Sequence, residues 1–266
     1  MRIIKYLMLL LLIPLALGLT ACKPHEKNNV IKVGIIDGPD TVEWEVAQKI
    51  ALKRYGLRIK LIKFSDYSMP NAALNDGDID ANAFQSALFL ASQNKIHGYK
   101  IIPIANTFLY PIAMYSKKIT RLSQLKNGDK IAVPNPQVSE ARALLLLQYG
   151  KLVTLKKNVR DDATPFDIID NPKHLKIIAL PAAQLPRALP DVAAAVINND
   201  YAGPAGLNPK KALLVENSDS PYMNIIAIRP QDKNKKKIIE MIKSFQTPAV
   251  KAAGKKVSDG NAIPGW

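Results

Sequence analysis

The chain has 266 residues, with 37 Lys and Arg against 22 Asp and Glu, and a single cysteine. Its formal charge of +15 comes with only 6% aromatic residues, and the lysines are scattered. That pattern argues a solvated basic surface rather than a nucleic-acid face of interleaved basic and stacking residues. One cysteine excludes an intramolecular disulfide and a cysteine-built metal site.

The first segment carries Arg2 and Lys5 and no acid, then an apolar run from Tyr6 to Leu19 and small residues up to Cys22. This is the order of a secretory signal. The run, broken by Pro14, is short for a membrane span of about 20 residues. Leu19-Thr20-Ala21-Cys22 resembles the lipobox of bacterial lipoproteins, which implies removal of residues 1–21 and lipid on Cys22. Such lipid tethers without spanning, and two or three chains hold far better than one. Residues 22–30 then read as a polar, lipidated tether. The expected location is the cell envelope, lipid-anchored to a membrane and facing the periplasm or exterior.

Beyond the tether, strand-like and helix-like segments alternate. Residues 31–36 form a short apolar strand, and 42–55 repeat apolar residues at helical spacing up to Gly56, a glycine cap. Alternation over 57–64 predicts a half-buried strand, and 84–95 a helix; 100–104 and 110–115 read as strands. A second series follows: strand 130–133, helix 139–149, strand 175–180, a helix around 182–189 and strand 192–197. Strand 224–228 and helices 235–245 and 248–257 complete the chain. This alternation argues two α/β lobes with mixed sheets covered on both faces. Lobe I takes residues 31–113 plus 225–266, and lobe II takes 114–224.

Catalytic and metal signatures are missing from the sequence. His25, His97 and His174 lie in polar stretches without metal-ligand spacing, and Gly254-Lys255-Lys256 lacks the rest of a phosphate loop. Asp76-Gly77-Asp78-Ile79-Asp80 suggests a calcium loop, but Ala81 stands where that loop needs glycine and Ala87 where it needs glutamate. A tight turn leading into a strand is the simpler account. No enzyme activity, cofactor or metal is expected.

Ser139-Glu140-Ala141-Arg142 opens an apolar helix, with Ser139 suited to cap it. An arginine there opposes the macrodipole, yet with the free N–H groups it could receive a carboxylate. These residues alone leave an ordinary surface arginine equally open.

Several blocks in order resemble the methionine-binding lipoproteins of bacterial methionine ABC importers. They are 31–36 (IKVGII), 66–71 (DYSMPN), 77–85 (GDIDANAFQ), 106–118 (NTFLYPIAMYSKK), 142–148 (RALLLLQ), 182–189 (AAQLPRAL), 195–201 (AVINNDY), 206–209 (GLNP) and 220–226 (SPYMNII), with Trp266 at the end. The resemblance implies a periplasmic-binding-protein-like fold, two α/β lobes joined by crossover strands, with an amino acid in the cleft. It gives Arg142 the ligand carboxylate, Asn198 and Asn224 the amino-acid end, and Tyr67, Phe84 and Tyr110 the side-chain pocket. It also implies a methionine-like ligand, a membrane reached through the N-terminal lipid, and a transporter of permease and ATPase subunits as partners, with no nucleic acid. Three positions depart from the family pattern: Ser86 replaces a histidine, Phe89 a tyrosine, and Ser139 the asparagine that opens the Arg142 block. These departures motivate an alternative, an envelope interaction lipoprotein with a repurposed cleft.

Overall fold

The computed structural model of the protein describes residues 29–266. The expected leader, Cys22 and all but the end of the tether lie outside the described residues.

The chain opens with β1 (Val30–Ile36), α1 (Asp40–Tyr55) and β2 (Arg58–Phe64). It continues through α2 (Pro70–Asp76), β3 (Ala81–Ser86), α3 (Ala87–His97), β4 (Ile102–Asn106) and β5 (Phe108–Leu109). The second lobe holds β6 (Ala113–Tyr115), β7 (Lys130–Pro134), α4 (Gln137–Tyr149), β8 (Thr154–Leu155) and β9 (Ile168–Asp170). It also holds β10 (Lys176–Leu180), α5 (Leu185–Ala188), β11 (Ala194–Ile197), α6 (Asn199–Ala202) and β12 (Leu214–Val215). The chain then returns through β13 (Asn224–Ile228) and ends in α7 (Lys236–Phe245), α8 (Pro248–Val257) and β14 (Ile263–Pro264).

Two five-stranded mixed sheets result, ordered β2-β1-β3-β13-β4 and β10-β7-β11-β6-β12. Central strands covered on both faces need unbroken apolar sequence. β11 meets this with Ala-Ala-Val-Ile, all buried. α1 ends where Gly56 takes the left-handed conformation at φ 60°, as its glycine predicts. The C-terminal helices close over α1, stacking Trp44 against Phe245 with ring centroids 4.5 Å apart.

The two crossings between lobes run side by side. The Thr107 N–H donates to the Asn224 carbonyl at 2.8 Å, and the Glu216 N–H donates to the Ile112 carbonyl at 2.9 Å. Ala113 already pairs in the second sheet and Asn224 in the first, each one residue from the expected lobe boundary.

Three segments depart from the sequence reading. Residues 84–86 belong to β3, not to a helix, because this central strand pairs with β1 and β13 and all six of its residues are buried. Tertiary pairing overrides local helical spacing here. Residues 110–112 are a connector, with Pro111 unable to donate to a ladder. α4 begins at Gln137, so Ser139 is its third residue rather than its cap, and Arg142 lies in the second turn.

Candidate functional site

Where the lobes meet, fifteen residues enclose a cavity of about 40 Å³, on a scale where one water needs roughly 10–15 Å³. A broader depression of about 560 Å³ adjoins it, sharing Tyr67 and Phe89, and is bounded by Gln93 of lobe I and Asn135 of lobe II.

An amide network in lobe I fixes the apolar wall. Asn71 of α2 donates to Gln85 at 2.8 Å, Asn82 donates to the Asn71 oxygen at 2.9 Å, and Gln85 donates to Asn82 at 3.0 Å. Buried amides tied together this way lock β3 against α2 and so orient Phe84 and Ser86. Tyr67, Phe84 and Phe89 then pack with centroids 5.8 to 6.1 Å apart. Ser86 turns its hydroxyl to the Phe89 N–H at 3.2 Å and caps α3. This wall suits an apolar, polarisable side chain.

Lobe II supplies the arginine. Arg142 Nε donates to Glu216 Oε1 at 2.9 Å, and Nη2 donates both to Glu216 Oε2 and to the Tyr110 carbonyl at 3.0 Å. The guanidinium also lies 4.6 Å over the Tyr222 ring. Tyr110 belongs to the first crossing and Glu216 to the second, so Arg142 braces both. Glu216, not a helix end, balances its charge. These bonds use Nε and Nη2 and leave Nη1 without a hydrogen bond to the described residues.

Three carboxyls gather on the other side. Tyr110 Oη lies 2.6 Å from both oxygens of Glu43. Burial, with Asp40 beside it, pushes the Glu43 carboxyl up to about 9, and burial raises Asp40 as well. Glu43 is therefore protonated near neutrality. Gly254 of α8 seals this spot: a Cβ there would fall 2.7 Å from Glu43 Oε1. Asp200 of α6 accepts from Tyr67 Oη at 2.6 Å; burial raises its carboxyl to about 6, against the Tyr67 hydroxyl and Arg142, which hold it down. Two enclosed polar atoms, Asn198 Oδ1 and Asn199 Nδ2, have no protein partner among the described residues.

All nine residues expected at the site line this one cavity: Tyr67, Phe84, Ser86, Phe89, Tyr110, Ser139, Arg142, Asn198 and Asn224. The sequence reading missed Asp200, Asn199 and Tyr222, and with them Glu216 and Glu43. Asn199, Asp200 and Tyr222 fall inside blocks that carried the resemblance, which was a signal available for them. Glu43 and Glu216 act through partners far along the chain and left no local trace. The Asp76–Asp80 turn proves structural: Asp80 pairs with Lys237 at 2.7 Å and accepts from the Lys32 N–H at 2.8 Å.

Two α/β lobes, paired crossings and an enclosed polar cavity between them define a two-lobed binding protein of the periplasmic substrate-binding class. The family model described as NlpA lipoprotein matches residues 31–266. The chain is 47% identical to the D-methionine-binding lipoprotein MetQ of Salmonella typhi, over 94% of each chain. It is 45% identical to outer membrane lipoprotein 2 of Mannheimia haemolytica, over 94% of this chain and 95% of that one. Among solved structures, a periplasmic substrate-binding protein of an ABC transporter from Coxiella burnetii is 52% identical with a TM-score of 0.84, covering 88% of this chain and 99% of that one. A nutrient-binding protein from Burkholderia cenocepacia bound to methionine is 48% identical with a TM-score of 0.86, covering 89% of this chain and 100% of that one. The chain belongs to the NlpA lipoprotein family.

Proposed function

We propose that this chain is the substrate-binding lipoprotein of an ABC importer and holds L-methionine, or a close amino-acid analogue, in the interlobe cavity. One observation carries the reading: the cavity joins an aromatic wall to enclosed polar atoms, Asn198 Oδ1 and Asn199 Nδ2, that the described residues leave without a partner. The relatives named for D-methionine and the Burkholderia structure bound to methionine support that ligand class. Arg142 Nη1 would take the carboxylate, Asn198 and Asn224 the polar end, and Tyr67, Phe84 and Phe89 the thioether. Because Arg142 touches both crossings, a ligand gripping it favours lobe closure, with residues 31–112 plus 224–266 and residues 113–223 as the closing bodies. Lipid on Cys22 would keep the protein at the envelope, within reach of permease and ATPase subunits.

Calorimetry on the full chain in detergent, unfolded and refolded to strip carried ligand, tests this. Saturable heat with L-methionine is expected. Absence of both heat and thermal shift across the amino acids would sink the proposal.

The repurposed-cleft alternative draws on Ser86, Phe89 and Ser139. It would require salt-sensitive binding to envelope components by a protein that takes up no amino acid.

A further inference from the structure

Arg142 and Asp200 are the charged side chains lining the cavity, and the protein treats them differently. Glu216 meets Arg142 with both of its oxygens. Asp200, only 6% exposed, receives one hydrogen bond, from Tyr67 to Oδ2. Its Oδ1 takes none from the described residues.

The backbone holds Asp200 firmly in place. A Cβ on Gly38, in the turn after β1, would fall 2.9 Å from the Asp200 carbonyl, so lobe I presses directly on this residue. Two positions earlier, Asn198 Oδ1 is an enclosed acceptor without a donor among the described residues. Two unfilled acceptors, one of them a carboxylate, call for a ligand group that is cationic and rich in N–H. A primary ammonium supplies three such donors on one charge.

We infer that Asp200, together with Asn198 Oδ1, forms the subsite for the ligand's α-ammonium, so that the cleft selects free α-amino acids over their des-amino counterparts. The inference rests on the proposed amino-acid ligand and deepens it. The ligand's two charges would divide between lobe II groups, carboxylate to Arg142 and ammonium to Asp200. Glu216 already offsets Arg142 with both of its oxygens, so an ionised Asp200, which Arg142 favours only from a distance, gains a directly hydrogen-bonded cation when the ammonium arrives.

The groups facing Asp200 are Asp40 and Glu43 from α1, Tyr67, Arg142 from α4, and Tyr201 beside it. Burial raises both α1 carboxyls and both phenols, and it raises the Asp200 carboxyl to about 6, just below neutrality.

The test is calorimetry on the refolded full chain with L-methionine and with 4-(methylsulfanyl)butanoate, which keeps the carboxylate and thioether and lacks the amine. The unaltered protein should bind L-methionine about ten- to a hundredfold tighter than the des-amino acid, the range of a charge-assisted hydrogen bond. Asp200→Asn should lose most of that factor for L-methionine and little for the des-amino acid. L-methionine affinity of the unaltered protein should also fall below pH 6, while des-amino affinity does not; this arm needs no variant to fold. Equal affinity of the unaltered protein for the two ligands would overturn the subsite, as would equal losses for both in Asp200→Asn, or unchanged L-methionine binding in it. Failure of the unaltered protein to bind any amino acid would sink the proposed function, and this subsite with it.

Discussion

Arg142 and the α1 carboxyls occupy two sides of one interlobe site, yet their charges are handled in opposite ways. Arg142 stays ionised, with Glu216 and the Tyr110 carbonyl bracing it across both crossings. Asp40 and Glu43 are buried beside each other and beside Asp200, so burial and the neighbouring acids raise both carboxyls and keep Glu43 protonated near neutrality. The first arrangement holds a charge in a fixed position where a ligand can use it. The second fills the space between helix and crossing with acids that burial pushes toward the neutral form, and its cost depends on pH.

Removing the arginine should have the largest effect. Arg142→Ala strands Glu216 in a mostly buried place and should lower stability by about 3–5 kcal/mol while abolishing ligand binding. Adding Glu216→Ala should restore much of the stability, read by chemical denaturation, and none of the binding. If the double variant binds, Arg142 is only a brace.

Asn224→Ala should separate binding from stability. Its side chain lines the cavity and is only partly buried. The loss of one or two hydrogen bonds should weaken binding about tenfold, with the melting temperature nearly unchanged.

Glu43→Gln addresses the carboxyl side. The folded chain keeps a proton on Glu43 up to about pH 9, whereas the unfolded chain releases it near 4.5. Stability is therefore lost as pH rises through that window, by up to about 1.4 kcal/mol per unit for this one group. The glutamine variant should show a flatter slope and a higher melting temperature at pH 8. An unaltered slope would mean that Glu43 is ionised in the fold.

Ser86→Ala should cost least, about 1 kcal/mol, since it removes the α3 cap. Affinity should change little, because the Ser86 hydroxyl is engaged with the Phe89 N–H. A large loss of affinity instead would make that hydroxyl a ligand group.

Much of this was legible in the sequence, for a physical reason. The alternation of apolar runs sets two α/β lobes, and nine residues placed by resemblance line one cavity. β3 was misread past Phe84 because a strand buried on both faces has no alternation to display. The argument from a helix start misplaced Arg142 by a turn, since Pro136, not Ser139, precedes α4. Glu216 and Glu43 were invisible because their roles depend on partners 74 and 67 residues away. No spacing rule reaches across two crossings.

The central claim, that the interlobe cavity holds a small amino acid, is tested most directly by native mass spectrometry of the full chain in detergent. The account predicts a noncovalent adduct of amino-acid mass, lost on unfolding and restored when the refolded protein meets L-methionine. A bare polypeptide mass before unfolding and after L-methionine is added back would contradict it.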